Sequence, residues 1–245
     1  MSEIAKFIAE VAGNIEGLKA DQDVQALSRI WLREITRHKY AYNFTWLGRP
    51  LIQLPQDMVA VQELVWRVKP DLIIETGVAH GGSLIYSASL LELIGGPGRV
   101  IGVDIDIRAH NRVEIEKHPL AHRIQLIQGS SVDLAVIRRV RQAARGCERI
   151  MVFLDSNHTH THVLQELRGY SPLVTKGSYL VVFDTLIEDM PSDLIKERPW
   201  GKGNNPKTAV WEFLKKNRRF QVDKDIESKL LITVAPDGYL RCIAD

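Results

Sequence analysis

From Asp71 to Asp184 the chain alternates short apolar runs with helical segments, and this rhythm restricts the fold more than any other feature. LIIETG, VIGVDI, IQLIQG, RIMVFLD and YLVVFD read as strands. Between them SLIYSASLLELIG, RAHNRVEIEKH, VDLAVIRRVRQAA and THVLQELRGY read as helices. Continuous apolar strands separated by helices imply a parallel sheet covered on both faces. Right-handed crossovers then favour a doubly wound, Rossmann-like α/β topology. After Asp184 the rhythm stops. A loop of about twenty residues carries Pro191, Pro199, Gly201, Gly203 and Pro206, and loops of that length inside a domain are commonly functional. TAVWEFLKKN reads as a helix, and LLITVA and YLRCIA as two strands joined at Pro236-Asp237-Gly238 in an antiparallel hairpin.

The first 40 residues read as helical, outside the core pattern, and are expected to pack between subunits of a homo-oligomer. Residues 41–57 break that pattern with Gly48, Pro50 and Pro55, and Asp57 is expected to cap the next helix. We therefore divide the chain into an N-terminal extension with a substrate-side loop, residues 1–57, and a cofactor-binding domain, residues 58–245. A chain of 245 residues with 45% hydrophobic and 25% charged residues suits one such domain. The net charge of +2 gives no electrostatic reason to expect a nucleic-acid partner. Cys147 and Cys242 form no metal-ligand spacing and read as reduced thiols of a cytoplasmic protein. The opening MSEIAKFIAEVAGNIEGLKA lacks the long apolar core of a signal peptide, and no stretch approaches the ~20 apolar residues of a spanning helix.

Ligands of open α/β sheets bind beyond the carboxyl ends of the strands. Glu75 ends the first strand, Gly77 follows, and Gly81 and Gly82 lead to Ser83, a helix-cap candidate. The glycines let the backbone approach a ligand. The order acid-x-Gly-x-x-x-Gly departs from the G-x-G-x-x-G of nicotinamide sites. An acid at Glu75 can pair with the ammonium of S-adenosylmethionine. Asp104 ends the second strand and can accept from ribose hydroxyls, with Asp106 its competitor. Gly129, Ser130 and Ser131 end the third strand, near an adenine edge.

Asp155 and Asp184 end the fourth and fifth strands and can converge on a hard cation such as Mg²⁺. His158 follows Asp155 by three residues and is the candidate general base. His160 and His162 share the tract DSNHTHTH, but it leads into a helix, so one histidine is expected to work while the others cap or lie on the surface. Tyr42, Trp46 and Trp200 are candidates for apolar or sugar-stacking surface, with segment 46–57 and loop 186–207 covering the acceptor.

These motifs resemble the family containing the cephalosporin hydroxylase and rhamnosyl O-methyltransferase proteins. The resemblance covers roughly residues 40–242. It rests on TWLGRPLIQLPQDM, PDLIIETGVAHGGS, VIGVDID, LDSNHTHTHVLQEL, GSYLVVFDT, GNNPKTAVWEFL and APDGYLRC. It implies the S-adenosylmethionine-dependent methyltransferase fold, cofactor contacts at Glu75, Gly77 and Asp104, and transfer to a hydroxyl of a sugar, glycolipid or secondary metabolite. By the same resemblance Asp155 and Asp184 are metal ligands. Thr185 stands where catechol-type enzymes carry an asparagine ligand, and His158 where they carry a lysine. One departure is Phe183-Asp184, where relatives often show Glu-Asp. The lost carboxylate would be replaced by water, Thr185, Glu188 or Asp189. Three other readings compete: a hydroxylase, a nicotinamide-dependent reductase, and a non-catalytic cofactor-binding oligomer.

Overall fold

The computed structural model describes residues 2–245. The N-terminal region holds α1 (Glu3–Ala20) and α2 (Gln22–Arg37), followed by the short antiparallel pair β1 (Phe44–Trp46) and β2 (Arg49–Leu51). Then come α3 (Pro55–Val68), β3 (Leu72–Thr76), α4 (Gly82–Ile94), β4 (Arg99–Asp104), α5 (Ala109–Glu116), β5 (Ile124–Gln128) and α6 (Leu134–Ala143). The chain continues through β6 (Ile150–Leu154), α7 (His160–Tyr170), β7 (Tyr179–Val182), α8 (Pro206–Lys216), β8 (Phe220–Val222), α9 (Lys224–Leu230) and β9 (Tyr239–Cys242).

The main sheet has seven strands in the order β5-β4-β3-β6-β7-β9-β8. Its first five strands are parallel, and β9 runs antiparallel to both β7 and β8. Every residue of β3, β6 and β7 is buried, as strands covered on both faces require. Two apolar clusters, one on each face, form the core. The chain winds outward from β3 through β4 to β5, then returns to place β6 on the other side of β3. The carboxyl ends of β3 and β6 therefore face a common crevice at the switch point, where ligands of such sheets bind.

The expected antiparallel end of the sheet is present, but one of its strands lies elsewhere. LLITVA is not a strand; β8 is Phe220–Val222, and α9 intervenes before β9. A short apolar run signals burial without specifying extension. Here Leu231 has φ +61, and Thr233 and Val234 are held by the buried Asp57. Asp57 is accordingly not a cap. It sits in the first turn of α3, which Pro55 begins, and accepts from the Thr233 hydroxyl, the Val234 N–H (2.9 Å) and the Tyr239 hydroxyl (2.6 Å). Burial pushes its carboxyl up to about 6. Segment 41–57 also holds more structure than its breakers suggested. Leu47 and Gly48, both at positive φ, close the β1–β2 turn. Asp21 separates α1 from α2 and caps the latter through the N–H groups of Asp23 and Val24. Neither helix buries a residue, and no described helix is long and apolar enough to cross a membrane.

Candidate active site

A cleft of about 570 Å³ opens at the carboxyl ends of β3, β6 and β7. The glycine loop forms one wall through Gly77, Val78, Ala79, His80, Gly82 and Ser83. Asp155, His158 and Asp184 form its floor. Gly77 is obligatory here: its φ is +92, and a Cβ would lie 2.0 Å from the Asp155 carbonyl oxygen. Gly82 opens α4, where a Cβ would meet the Pro50 carbonyl at 2.1 Å, so β2 packs directly onto the helix start.

Three side chains from three elements brace the glycine loop. Asp104 accepts from the N–H groups of Val78 (2.8 Å) and Ala79 (3.4 Å). The buried Asn111 of α5 donates to the Ala79 carbonyl at 2.9 Å. Arg49 of β2 donates to the His80 carbonyl at 2.6 and 3.0 Å and to the Asn111 side chain at 3.1 Å. Ala79 is thereby held at φ +45, which a non-glycine residue rarely adopts unsupported. Asp104 also accepts from the Asp106 N–H, and with Asp106 and Arg108 it lines an adjoining cavity of about 300 Å³ that shares Ala79 and His80 with the main cleft. Arg49 and Asn111 escaped the sequence reading. Arg49 stands in TWLGRPLIQLPQDM, but its partner is a backbone carbonyl of another segment, which leaves no trace in the residue pattern.

Ser83 is not a cap. Gly81 holds the N-cap position in the left-handed region, and the Ser83 hydroxyl donates to Glu75. Glu75 is buried beside a small gap next to the cleft; Gln53, Ser83 and Asp155 line both spaces. Burial pushes the Glu75 carboxyl up to about 8, against the opposing effect of the Ser83 bond. Gln53 also went unread. It is buried, and its side-chain oxygen has no hydrogen-bond partner. Phe183, in place of the lost acid, lines the same gap and packs edge-on to Phe153 at 6.1 Å.

Asp155, His158 and Asp184 come together. One ligand atom from each lies within 4.8 Å of the others, and His158 Nε2 is 3.1 Å from an Asp184 carboxylate oxygen. Asp184 holds φ +55 at the end of β7, a strained conformation that directs the chain away from the sheet. The Asp155 carboxyl is pushed well up, first by burial and then by the negative charges of Asp184, Glu75 and Glu166. Carboxylates crowded in this way, with no lysine or arginine paired to them among the described residues, form a donor set suited to a hard cation.

The other candidates separate. Thr185 is buried and donates its hydroxyl proton to the Pro236 carbonyl at 2.6 Å, and His158 lies beside the two aspartates. Glu188 is engaged with Gly203 and Asn205, and Asp189 pairs with Lys207 at 2.6 Å, so neither replaces the missing acid. His160 bridges Thr208 and Glu212 of α8. His162 meets Ser131 (3.0 Å), Ser156 (3.2 Å) and the buried Glu166. No second histidine therefore joins His158, and a two-histidine iron site does not form among the described residues. Gly129 and Ser130 line neither cavity, and Ser131 is buried. Trp46 is a packing residue: its ring meets Tyr86 edge-on and its N–H donates to Ser89. Tyr42 lines the cleft, and Trp200 meets the His158 ring edge-on at 4.8 Å.

The Rhamnosyl O-methyltransferase/CmcI family model matches residues 38–243. The chain belongs to this family. A rhamnosyl O-methyltransferase of Mycobacterium bovis is 32% identical over 216 residues, covering 83% of this chain and 82% of that protein. The Mycobacterium leprae rhamnosyl O-methyltransferase is 34% identical over 165 residues, covering 63% and 68%. Among solved structures, cmcI-D160 Mg-SAM superposes with a TM-score of 0.58 at 21% identity, covering 83% of this chain and 78% of the other. The Bacillus cereus O-methyltransferase in complex with SAH gives 0.53 at 16%, covering 84% and 90%. At these identities the structural likeness speaks for the fold, and it is the methyltransferase form of the doubly wound sheet.

Proposed function

We propose that this chain transfers the methyl group of S-adenosylmethionine to a hydroxyl oxygen of a sugar, glycolipid or secondary metabolite, with Mg²⁺ assistance. The convergence of Asp155, His158 and Asp184 beneath the glycine loop carries the reading. It puts acceptor chemistry and donor loop in one cleft. Family membership and the rhamnosyl O-methyltransferase relatives support the same assignment.

The sulfonium carbon is already activated, so the protein's task is chiefly to align donor and acceptor. Glu75, Gly77 and Ser83 would hold the methionyl end, and Asp104 the ribose. Gly81 shapes the loop, and the adenine would extend toward the Gly129–Ser131 segment, beyond the two cavities. Asp155 and Asp184 would hold Mg²⁺, which when bound lowers the pKa of a coordinated hydroxyl. Mg²⁺ prefers oxygen ligands and retains water, which leaves His158 to accept the acceptor's proton. Asp184, 3.1 Å away, would stabilise that imidazole once it is protonated.

Calorimetric titration with S-adenosylhomocysteine is expected to show binding that Asp104→Ala weakens; binding of NADH in its place would sink the reading. Asp184→Ala and His158→Ala are each expected to lower methyl transfer by roughly 10²–10⁴-fold, the usual range for loss of an acid–base group. If neither does, the assignment of the reacting residues is wrong. We further propose a cytoplasmic homo-oligomer, with residues 1–57 as an extension to a methyltransferase domain of residues 58–245. Cys147 and Cys242 are both unpaired, in keeping with a reducing compartment. Ile4, Phe7, Ile8, Leu27, Ile30 and Trp31 are exposed on α1 and α2, an apolar surface suited to a second copy. Sedimentation of the intact chain as a monomer would remove that part of the proposal.

A further inference from the structure

The outer part of the cleft carries more positive charge than a neutral acceptor needs. Arg37, Lys39 and Arg198 all line it. Arg37 is countered by Glu34 at 3.2 Å and Asp193 at 3.7 Å. Lys39 and Arg198 form no ion pair among the described residues. Each is instead steadied by an aromatic ring: Lys39 Nζ lies 6.0 Å from the Tyr42 centroid, and Arg198 Cζ 5.4 Å from that of Trp200.

Trp200 links this charge to the reaction centre. Its ring meets His158 edge-on, and Arg198 lies over it. A cation over an aromatic face is held in place but keeps its charge. A guanidinium so held presents a planar fork matched to a carboxylate or phosphate. Lys39 is fixed at φ +50 beyond the last turn of α2, where the chain bends along the cleft. Of the cleft's carboxylates, Asp155 and Asp184 belong to the floor, and Asp193 faces Arg37. Among the described residues no carboxylate pairs with the other two cations.

We propose that the acceptor is an anionic sugar, bearing a phosphate or carboxylate that Arg198 binds while Lys39 adds a second contact. This rests on the methyl-transfer reading and specifies its substrate class. The two anions share one recognition chemistry and are separable by experiment.

The intact chain, saturated with S-adenosylhomocysteine and Mg²⁺, is titrated with rhamnose 1-phosphate, glucuronate and neutral methyl rhamnoside. At least one anionic sugar should bind about tenfold or more tightly than the neutral one, with affinity falling as salt rises. Whichever anion binds more tightly identifies the group. Arg198→Gln should erase most of that preference, Arg198→Lys should retain part of it, and Lys39→Gln should lower it less. Melting curves establish that each variant folds; were Arg198→Gln unfolded, Arg198→Lys and Lys39→Gln would still carry the test. Equal affinity for all three sugars, no binding of either anionic sugar, or an unchanged preference in the folded variants would overturn the inference. Failure of the chain to bind S-adenosylhomocysteine would instead overturn the methyl-transfer reading beneath it.

Discussion

The two walls of the cleft are built on opposite principles. On the donor side, the backbone groups of the glycine loop are met in advance by Asp104, Asn111 and Arg49. Beneath the loop, groups are gathered with few partners: Asp155 and Glu75 are buried with raised pKa values, Glu75 meeting only the Ser83 hydroxyl, and Gln53 has an unpartnered side-chain oxygen. A satisfied loop offers a rigid surface on which a ligand loses little further freedom. An unsatisfied cluster stores unfavourable desolvation that a cation or ammonium group can relieve. The donor wall thus contributes shape, and the floor contributes affinity for positive charge.

The largest effect that would break this contrast is at Gly77. Gly77→Ala puts a Cβ 2.0 Å from a backbone oxygen at a positive φ, so β3 and β6 cannot keep their spacing without a shift. We expect a stability loss of about 3 kcal/mol or more and loss of S-adenosylhomocysteine binding. Urea unfolding with calorimetry checks both. Near-normal stability and affinity would show that the loop is not rigid.

Glu75→Gln should act in the other direction on stability. The folded-state pKa of Glu75, about 8, lies above its ordinary value of 4.5. The stability tied to its proton is fully present below about 4.5 and is lost as pH rises through 8. A glutamine has no proton to lose. The variant should match the wild type near pH 4.5 and exceed it above pH 8, by on the order of 2–4 kcal/mol. Cofactor binding should pay the opposite penalty: affinity in the wild type should rise with pH toward 8, as the ammonium gains an ionised partner, whereas the variant should show a flat profile. A parallel pH dependence in both proteins would remove Glu75 from the methionyl site.

The same contrast explains what could be read from the chain. The doubly wound topology, the glycine loop and the strand-end positions of Asp104, Asp155 and Asp184 follow from periodicity, because each is a local pattern tied to a fixed place in such a sheet. The grouping of His158 with the aspartates, and not His160 or His162, depends on the start of α7 and on partners in α8, far along the chain. LLITVA misled for a related reason. Its burial was legible, but Asp57, about 175 residues earlier, fixes its conformation. Ser83 reads as a helix cap from its place after the glycines, but Gly81 takes the N-cap position and frees the Ser83 hydroxyl for Glu75.

Arg49→Ala gives the smallest effect and the sharpest one. Arg49 touches neither the cleft floor nor the adjoining cavity, and reaches the site only through the His80 carbonyl and Asn111. Its removal leaves that carbonyl unpaired while Asp104 and Asn111 still hold Val78 and Ala79. A lost charge-assisted bond of this kind is worth about 1.5–3 kcal/mol where the partner stays dry, and less where water replaces it. We expect S-adenosylhomocysteine affinity to fall about tenfold, roughly 1.4 kcal/mol, with the change in dissociation rather than association. Amide hydrogen exchange at Val78–Gly82 should quicken in the free protein and recover when the ligand binds. If affinity falls with no change in exchange, Arg49 contacts the ligand itself and the loop needs no brace. If neither changes, Asp104 and Asn111 alone account for the rigid donor wall.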